Sequence, residues 1–194
     1  MNNLKYILVL PLLLFSLLGN AQTNSFAQNV LDEVNFLRSN PFDYAEKRLK
    51  VEAENHADNG AYRFLKKMKP VKVLVLNKTL GELATEYAKL LSKKSSLSHT
   101  YKGDPMKRAN KAGYFGMVGE NLAAGNDPIL NADENPQESA IEFVKMLVID
   151  NGVKDLGHRK ILVEPRFSEL GVGFYHDTAS KMKNFFVQEF GNRK

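Results

Sequence analysis

Four polar residues stand apart from the hydrophobic pattern of the chain: His99 in "LSHT", Glu120 in "GEN", Asp150 after an amphipathic run, and His158 in "GHRKIL". Imidazole nitrogens are good ligands for Zn²⁺, and carboxylates either complete a zinc site or orient the rings from behind. A shared site would also respond to pH near neutrality, because histidines titrate there. The alternative is that both histidines are loop residues with local hydrogen bonds and that Glu120 caps a sharp turn.

Two amphipathic helices are predicted to precede the first histidine and the second acid. One begins at Thr79, which forms a capping pair with Glu82. The other begins at Asn135, has Pro136 in its first turn and ends before "NG" at residues 151–152. The apolar stripe of the first helix recurs at helical spacing and consists of Leu80, Leu83, Ala84, Tyr87, Ala88 and Leu91.

The rest of the pattern is mixed. A helix is predicted to open at Ser25 and to stop at Pro41, and a polar loop is predicted over residues 50–60. Residues 92–136 look like one long stretch rich in Gly and Asn, with a short helix near "DPMKRANKAG". The alternating segments "ELGVGFYHD" and "KNFFVQEFG" predict an antiparallel hairpin. Helices first and strands last indicate an α+β fold.

The amino-terminal segment has the features of a secretory signal peptide: a lysine, an apolar stretch over residues 6–18 and small residues up to Ala21. We therefore expect residues 1–21 to be removed. Residues 22–194 are then a single domain, secreted or periplasmic, with no membrane span after cleavage. The chain has no cysteine, which excludes a disulfide framework and a lipid-modified cysteine.

The chain is mildly basic. Its formal net charge is +5 at pH 7, and removal of Lys5 with the signal peptide leaves +4. The lysines occur in small scattered clusters such as "FLKKMK", without the interleaved aromatic residues that are typical of nucleic-acid surfaces. We expect no nucleic-acid partner, although a basic surface favours encounter with anionic envelope material.

A series of motifs follows in order along residues 26–191: "VNFLRSNP", "LNKTLGELATEYA", "LSHT", "AGYFGMVGENLAAG", "GHRKIL", "ELGVGF" and "FFVQEFG". This ordered set resembles the CAP superfamily, the SCP domain shared by cysteine-rich secretory proteins, antigen 5 and pathogenesis-related proteins. The chain lacks both cysteine and tryptophan, and in this it is similar to the bacterial, secreted branch of that family.

The resemblance implies an α-β-α sandwich whose central sheet contains the C-terminal hairpin. It also implies a central cleft that holds a tetrad of two histidines and two acids. His99, Glu120 and His158 match three members of the tetrad. Asp150 falls on the fourth position, and its side chain is one methylene shorter than the glutamate usual there.

The resemblance also bears on three other polar residues. Asn35 and Arg38 are expected to be structural, tying the first helix to neighbouring turns. Arg159 is expected to pair with Asp155 or Glu164 at the surface, or to face an anionic ligand.

CAP-like proteins have no single agreed activity, so two functions of the cleft are compared; a third possibility is a surface-interaction role through exposed loops such as residues 50–60 or 125–135, without use of the cleft. The first is a secreted binding protein, not an enzyme, that coordinates Zn²⁺ through His99 and His158. Its partner is an extracellular or envelope ligand: a small molecule, a lipid or a protein. The alternative is a peptidase-like hydrolase with catalytic candidates His99, Glu120, Asp150 and His158, among which His158 or Glu120 is the general base. The chain has no nucleophile elbow, "HExxH" motif or catalytic cysteine to favour it.

Overall fold

The structure, a computed structural model, describes residues 10–193, with side chains from Ser25 onward. Residues 1–9 of the predicted signal peptide lie outside the described residues, and for residues 10–21 only the backbone is described. Among the described residues, no helix is both long and apolar enough to cross a bilayer. The α-helices are α1 Leu10–Ser39, α2 Pro41–Tyr44, α3 Lys50–Glu54, α4 Ala61–Lys67, α5 Lys78–Lys94, α6 Pro105–Lys111, α7 Pro136–Ile149 and α8 Gly157–Leu162. A π-helical turn, Ala45–Leu49, joins α2 to α3, and a 3-10 turn, Pro128–Leu130, precedes α7.

The strands are β1 Val75–Leu76, β2 Gly116–Gly125, β3 Glu169–His176 and β4 Asn184–Arg193. Within the described residues they form a four-stranded sheet in the order β1-β3-β4-β2. β1 runs parallel to β3, while β2 and β3 both run antiparallel to β4. The predicted C-terminal hairpin is therefore confirmed, and it forms the middle of the sheet.

The sequence predicted one long loop over residues 92–136 with only a short helix in it. That prediction is wrong in one important respect, because the segment contains strand β2. The strand reads "GMVGENLAAG", and its small residues have little intrinsic preference for a strand. Its order comes from pairing with β4 over ten consecutive residues, from Gly116 opposite Arg193 to Gly125 opposite Asn184. A pairing partner so distant in sequence leaves no local signal.

Helices cover both faces of the sheet. Alternate residues of β4 point to opposite faces: Phe186 and Phe190 pack in the core formed with α1 and α7, while Phe185 and Val187 pack with α5. On the first face Phe143 of α7 stacks on Phe186 with ring centroids 4.5 Å apart. The α+β class and the α-β-α sandwich are both confirmed.

Helix α5 lies unusually close to the sheet because two residues of β3 are glycines. A Cβ at Gly171 would lie 2.1 Å from the carbonyl carbon of Leu80, and one at Gly173 would lie 2.1 Å from that of Ala84. The helix begins at Lys78, one residue before Thr79 of the predicted capping pair. Its N-cap is Asn77, whose side chain accepts a hydrogen bond from the N–H of Leu80.

Of three local predictions about the first third of the chain, two are wrong and one is confirmed. Helix α1 does not open at Ser25 but continues through it from Leu10, so Ser25 is not a cap. Part of the predicted loop over residues 50–60 is helix α3. Arg38 is structural as expected: it is buried and donates to the carbonyl oxygens of Lys72, Leu162, Glu164 and Phe167.

Asn35 also has the structural role expected of it. Its side-chain amide donates to the carbonyl oxygen of Leu74 at 3.0 Å and accepts from the N–H of the same residue at 2.8 Å. The extended segment that leads into β1 is thereby fixed against α1.

Candidate functional site

The first histidine is held by a buried acid. Nδ1 of His99 lies 2.7 Å from Oε1 of Glu120. The side chain of His99 is 50% exposed, whereas that of Glu120 is fully buried. Glu120 does not cap a turn, as one sequence interpretation held; it lies in the extended middle of β2. The carboxylate therefore stands on a rigid element and the ring faces solvent.

Arg108 of α6 holds His99 and Glu120 in place through hydrogen bonds. One terminal nitrogen donates to Oε2 of Glu120, and the other donates to the carbonyl oxygens of His99, at 2.9 Å, and of Gly103. The guanidinium also lies 3.6 Å from the ring centre of Tyr87. Burial raises the pKa of Tyr87 to about 12, and its hydroxyl donates to the carbonyl oxygen of Ser98 at 2.5 Å. The backbone around His99 is thus tied to α5 and α6.

The second histidine has an equivalent partner. Nδ1 of His158 lies 2.7 Å from Oδ1 of Asp150, which is buried. Asp150 is the C-cap of α7 in the left-handed conformation, with φ 56°, and this turn directs its short side chain at His158. His158 lies in the first turn of α8. The left-handed residue before that helix is Leu156, with φ 54°, and not the glycine at 157.

Arg159 supports the second pair, and the expected pairing with Asp155 or Glu164 at the surface is wrong. It is buried, and its guanidinium donates to the carbonyl oxygens of Val148 at 2.6 Å and Ile149 at 2.8 Å, at the end of α7. Its backbone N–H donates to Oδ2 of Asp150 at 3.2 Å. Burial lowers the pKa of Arg159, and the Asp150 carboxylate opposes that shift. A cation at a helix C-terminus also complements the helix dipole.

The two rings meet beyond the free edge of the sheet. β2 is an edge strand, and its adjacent residues Glu120 and Asn121 point to opposite faces. Glu120 holds His99 on the α5 side, while the amide of Asn121 donates to the carbonyl oxygen of His158 on the α7 side at 3.3 Å. The ring centroids of His99 and His158 are 6.5 Å apart. The structure therefore places all four sequence-predicted residues together.

This arrangement determines which atoms are available for chemistry. A carboxylate accepts hydrogen bonds, so in the neutral imidazole each Nδ1 carries the proton and each Nε2 presents a lone pair. Such a nitrogen can ligate a metal or act as a general base. Among the described residues, no group of three or more His, Cys, Asp and Glu side chains is arranged to hold a metal ion. The chain thus offers two nitrogen donors, with the carboxylates behind them.

Sequence reasoning missed two buried residues beside Glu120. Arg108 stands in "PMKRANK", which is indistinguishable from a solvent-exposed helix. Glu189 lies directly opposite Glu120 on β4 and is fully buried. In this second case a signal existed, because strict alternation places Glu189 on the same face of β4 as the apolar Phe185 and Val187.

Comparison with known proteins identifies one family and several similar solved structures, two of which are described below. Residues 31–190 match the model of the cysteine-rich secretory protein family, CAP. No curated protein matches the chain significantly.

Both neighbours are bacterial proteins. An extracellular SCP-domain protein of Bacillus anthracis is similar with a TM-score of 0.53 and 18% identity, over 88% of this chain and 41% of that chain. An outer surface protein of Borrelia burgdorferi is similar with a TM-score of 0.50 and 23% identity, over 75% of this chain and 96% of that chain. The chain therefore spans about two fifths of the Bacillus anthracis protein, and these likenesses concern the fold.

Proposed function

Because the chain belongs to the cysteine-rich secretory protein (CAP) family, we propose that it is a secreted binding protein that coordinates Zn²⁺ through His99 and His158. The observation that carries the proposal is that each of the two rings is paired with a buried carboxylate in the same way. Each Nδ1 is 2.7 Å from a buried carboxylate, which directs both Nε2 lone pairs outward. Carboxylates behind metal-binding imidazoles fix the tautomer and strengthen the nitrogen as a ligand.

The spacing of the rings sets what binding requires. With Zn–N bonds of about 2.0–2.1 Å, two imidazoles bound tetrahedrally have ring centres about 5 Å apart. The observed separation of 6.5 Å means that the rings must approach each other on binding. His99 has more room to shift than His158, because its side chain is 50% exposed and that of His158 is 21% exposed. Water or a ligand supplies the remaining positions, as in zinc sites that keep open coordination.

Calorimetric titration of Zn²⁺ into residues 22–194 tests the proposal. His99→Ala and His158→Ala each remove one of two nitrogen donors, and we expect each to abolish measurable binding. Glu120→Gln and Asp150→Asn keep the shape of the carboxylates and should weaken binding about 10- to 100-fold. His56→Ala is the matched control, because this histidine is exposed on a loop. Equal affinity in the wild type and in a His99→Ala/His158→Ala double variant would refute the proposal.

The same Nε2 atoms serve the hydrolase alternative, in which an imidazole backed by a carboxylate accepts a proton from water. Glu120 and Asp150 occupy the two Nδ1 atoms, so a water or hydroxyl would have to reach Nε2. A panel of peptides and esters distinguishes the two functions. Turnover that disappears in His158→Ala would favour hydrolysis, whereas turnover unchanged in Glu120→Gln would exclude Glu120 as its base.

We further propose that the chain is exported and meets an extracellular or envelope ligand. The signal-like residues 1–21 and the family support this placement. Mass spectrometry of the protein recovered from the producing cell and from its surroundings provides the test. The expected mature form begins at Gln22. An intact amino terminus found in the cytoplasm would contradict export.

A further inference from the structure

A second buried acid lies directly beneath the His99 half of the site. Glu189 of β4 is paired in register with Glu120 of β2, and residues paired in this way have Cβ atoms about 5 Å apart on one face of the sheet. Glu189 is fully buried and Glu120 nearly so. Two carboxyls and one guanidinium, that of Arg108, therefore share one dry compartment between the sheet, α5 and α6.

Little positive charge lies near the carboxyl of Glu189. The terminal nitrogen of Arg108 is 3.8 Å from Oε1 of Glu189, which is too far for a hydrogen bond. That same nitrogen is bonded to Glu120. From α5, Tyr87 interacts electrostatically with Glu189, and its hydroxyl donates to backbone carbonyls. On the other side of Glu189 stands Gly171 of β3, which has no side chain.

No donor among the described residues reaches either oxygen of Glu189. The carboxyl that lies opposite Glu189, on the same face of the sheet, is that of Glu120, and both residues are buried. Two carboxyls form a hydrogen bond only when one of them carries a proton, and two adjacent buried carboxylates cannot both ionise. Glu120 has the ion pair with Arg108, so the proton belongs to Glu189. Burial, and next the charge of Glu120, raise the pKa of Glu189 well above its usual value.

We propose that Glu189 is a positioning residue for His99 that acts through Glu120. As a neutral acid it donates a hydrogen bond to Glu120, which leaves Glu120 the anion that accepts from Nδ1 of His99. The proton is thereby kept off Glu120, where it would reverse the hydrogen bond and place the imidazole proton on Nε2. Only the consequence for Zn²⁺ rests on the proposed function; the location of the proton does not.

The first experiment measures the charge of Glu189 through stability. A carboxyl whose folded pKa is raised contributes stability below its unfolded pKa of about 4.3, and that contribution is lost as pH rises toward the folded pKa. Glu189→Gln cannot lose a proton. Urea unfolding should therefore show similar wild-type and variant stability at pH 4. Above that, the ratio of their unfolding constants should shift in favour of the variant by up to about tenfold per pH unit.

The exposed Glu86→Gln is the control and should show no such trend. A wild-type-to-variant difference that stays constant between pH 4 and pH 8 would overturn the assignment of a neutral Glu189. So would a variant that loses stability relative to the wild type as the pH rises.

The second experiment separates positioning from mere packing. Glu189→Gln keeps a hydrogen-bond donor toward Glu120, and Glu189→Leu fills similar space without one. Nitrogen-15 NMR of the imidazole of His99 at pH 7.5 should show the Nδ1–H tautomer in the wild type and the Gln variant, with a smaller share in the Leu variant. The Zn²⁺ affinity of Glu189→Leu should be several-fold lower than that of the wild type, and the affinity of Glu189→Gln should equal that of the wild type. Identical tautomers in Gln and Leu would overturn the positioning role. If the wild type binds no Zn²⁺, the tautomers and the pH dependence still decide this inference.

Discussion

Replacement of Gly173 by alanine is expected to separate helix α5 from the sheet. The new Cβ would lie 2.1 Å from the carbonyl carbon and 2.3 Å from the carbonyl oxygen of Ala84, both in the helix backbone. An ordinary contact needs about 3.4 Å or more, so the helix must move outward by about 1.3 Å. Overpacking of this kind costs about 1–3 kcal/mol, and a gap of this width weakens the other contacts of the helix. We expect a total loss of about 3 kcal/mol.

Urea denaturation followed by circular dichroism measures this loss. With a slope of about 2 kcal/mol per molar urea, a loss of about 3 kcal/mol lowers the midpoint by about 1.5 M. Gly81→Ala is the matched control on the facing helix. Its Cβ would lie 4.0 Å from the carbonyl oxygen of Val172, and it should stabilise the helix by about 0.5–1 kcal/mol. A midpoint for Gly173→Ala equal to that of the wild type would refute the close-approach argument.

Three further outcomes are expected. Arg38→Met leaves several buried carbonyls without a donor and should cost about 3–5 kcal/mol in urea unfolding, of which Arg38→Lys recovers only a part. Tyr87→Phe should cost about 1–2 kcal/mol at pH 7. Because the pKa of Tyr87 is raised to about 12, its contribution is complete below pH 10 and is lost as pH rises through 12, so thermal unfolding of the two proteins should converge there. Arg159→Met should destabilise the end of α7 and raise amide hydrogen exchange at Asp150, while exchange in β4 changes less.

Sequence patterns correctly predicted the helices and strands whose conformation is visible in their own residues. The stripe of α5 and the alternation of β3 and β4 were read correctly because each reports a face that is buried along its whole length. Strand β2 was missed because "GMVGENLAAG" owes its conformation to β4, which lies about sixty residues away. The first residue of a helix was predicted less accurately than the presence of the helix: α5 begins at Lys78 and not at Thr79, the first residue of the expected capping pair.

The four candidate residues came from motif resemblance, and their pairing came from the structure. Spacing alone did not say that His99 would meet Glu120 and His158 would meet Asp150. The pairing depends on the left-handed turn at Asp150, which nothing in "VIDNG" marks, and on Arg108 beneath Glu120. A buried arginine and an exposed one look alike in sequence when their partners are backbone carbonyls, and Arg159 shows this most clearly.

The two imidazoles lie on opposite sides of a sheet edge, so the site is complete only when both helical layers are packed on the sheet. One ring is delivered by the helical layer containing α5 and α6, and the other by the layer containing α7 and α8. A molecule that touches both rings consequently clamps the layers together, and at a hundredfold excess over its dissociation constant it adds about 2.7 kcal/mol to the free energy of unfolding. Partial detachment of either layer would release that molecule before the rest of the domain comes apart.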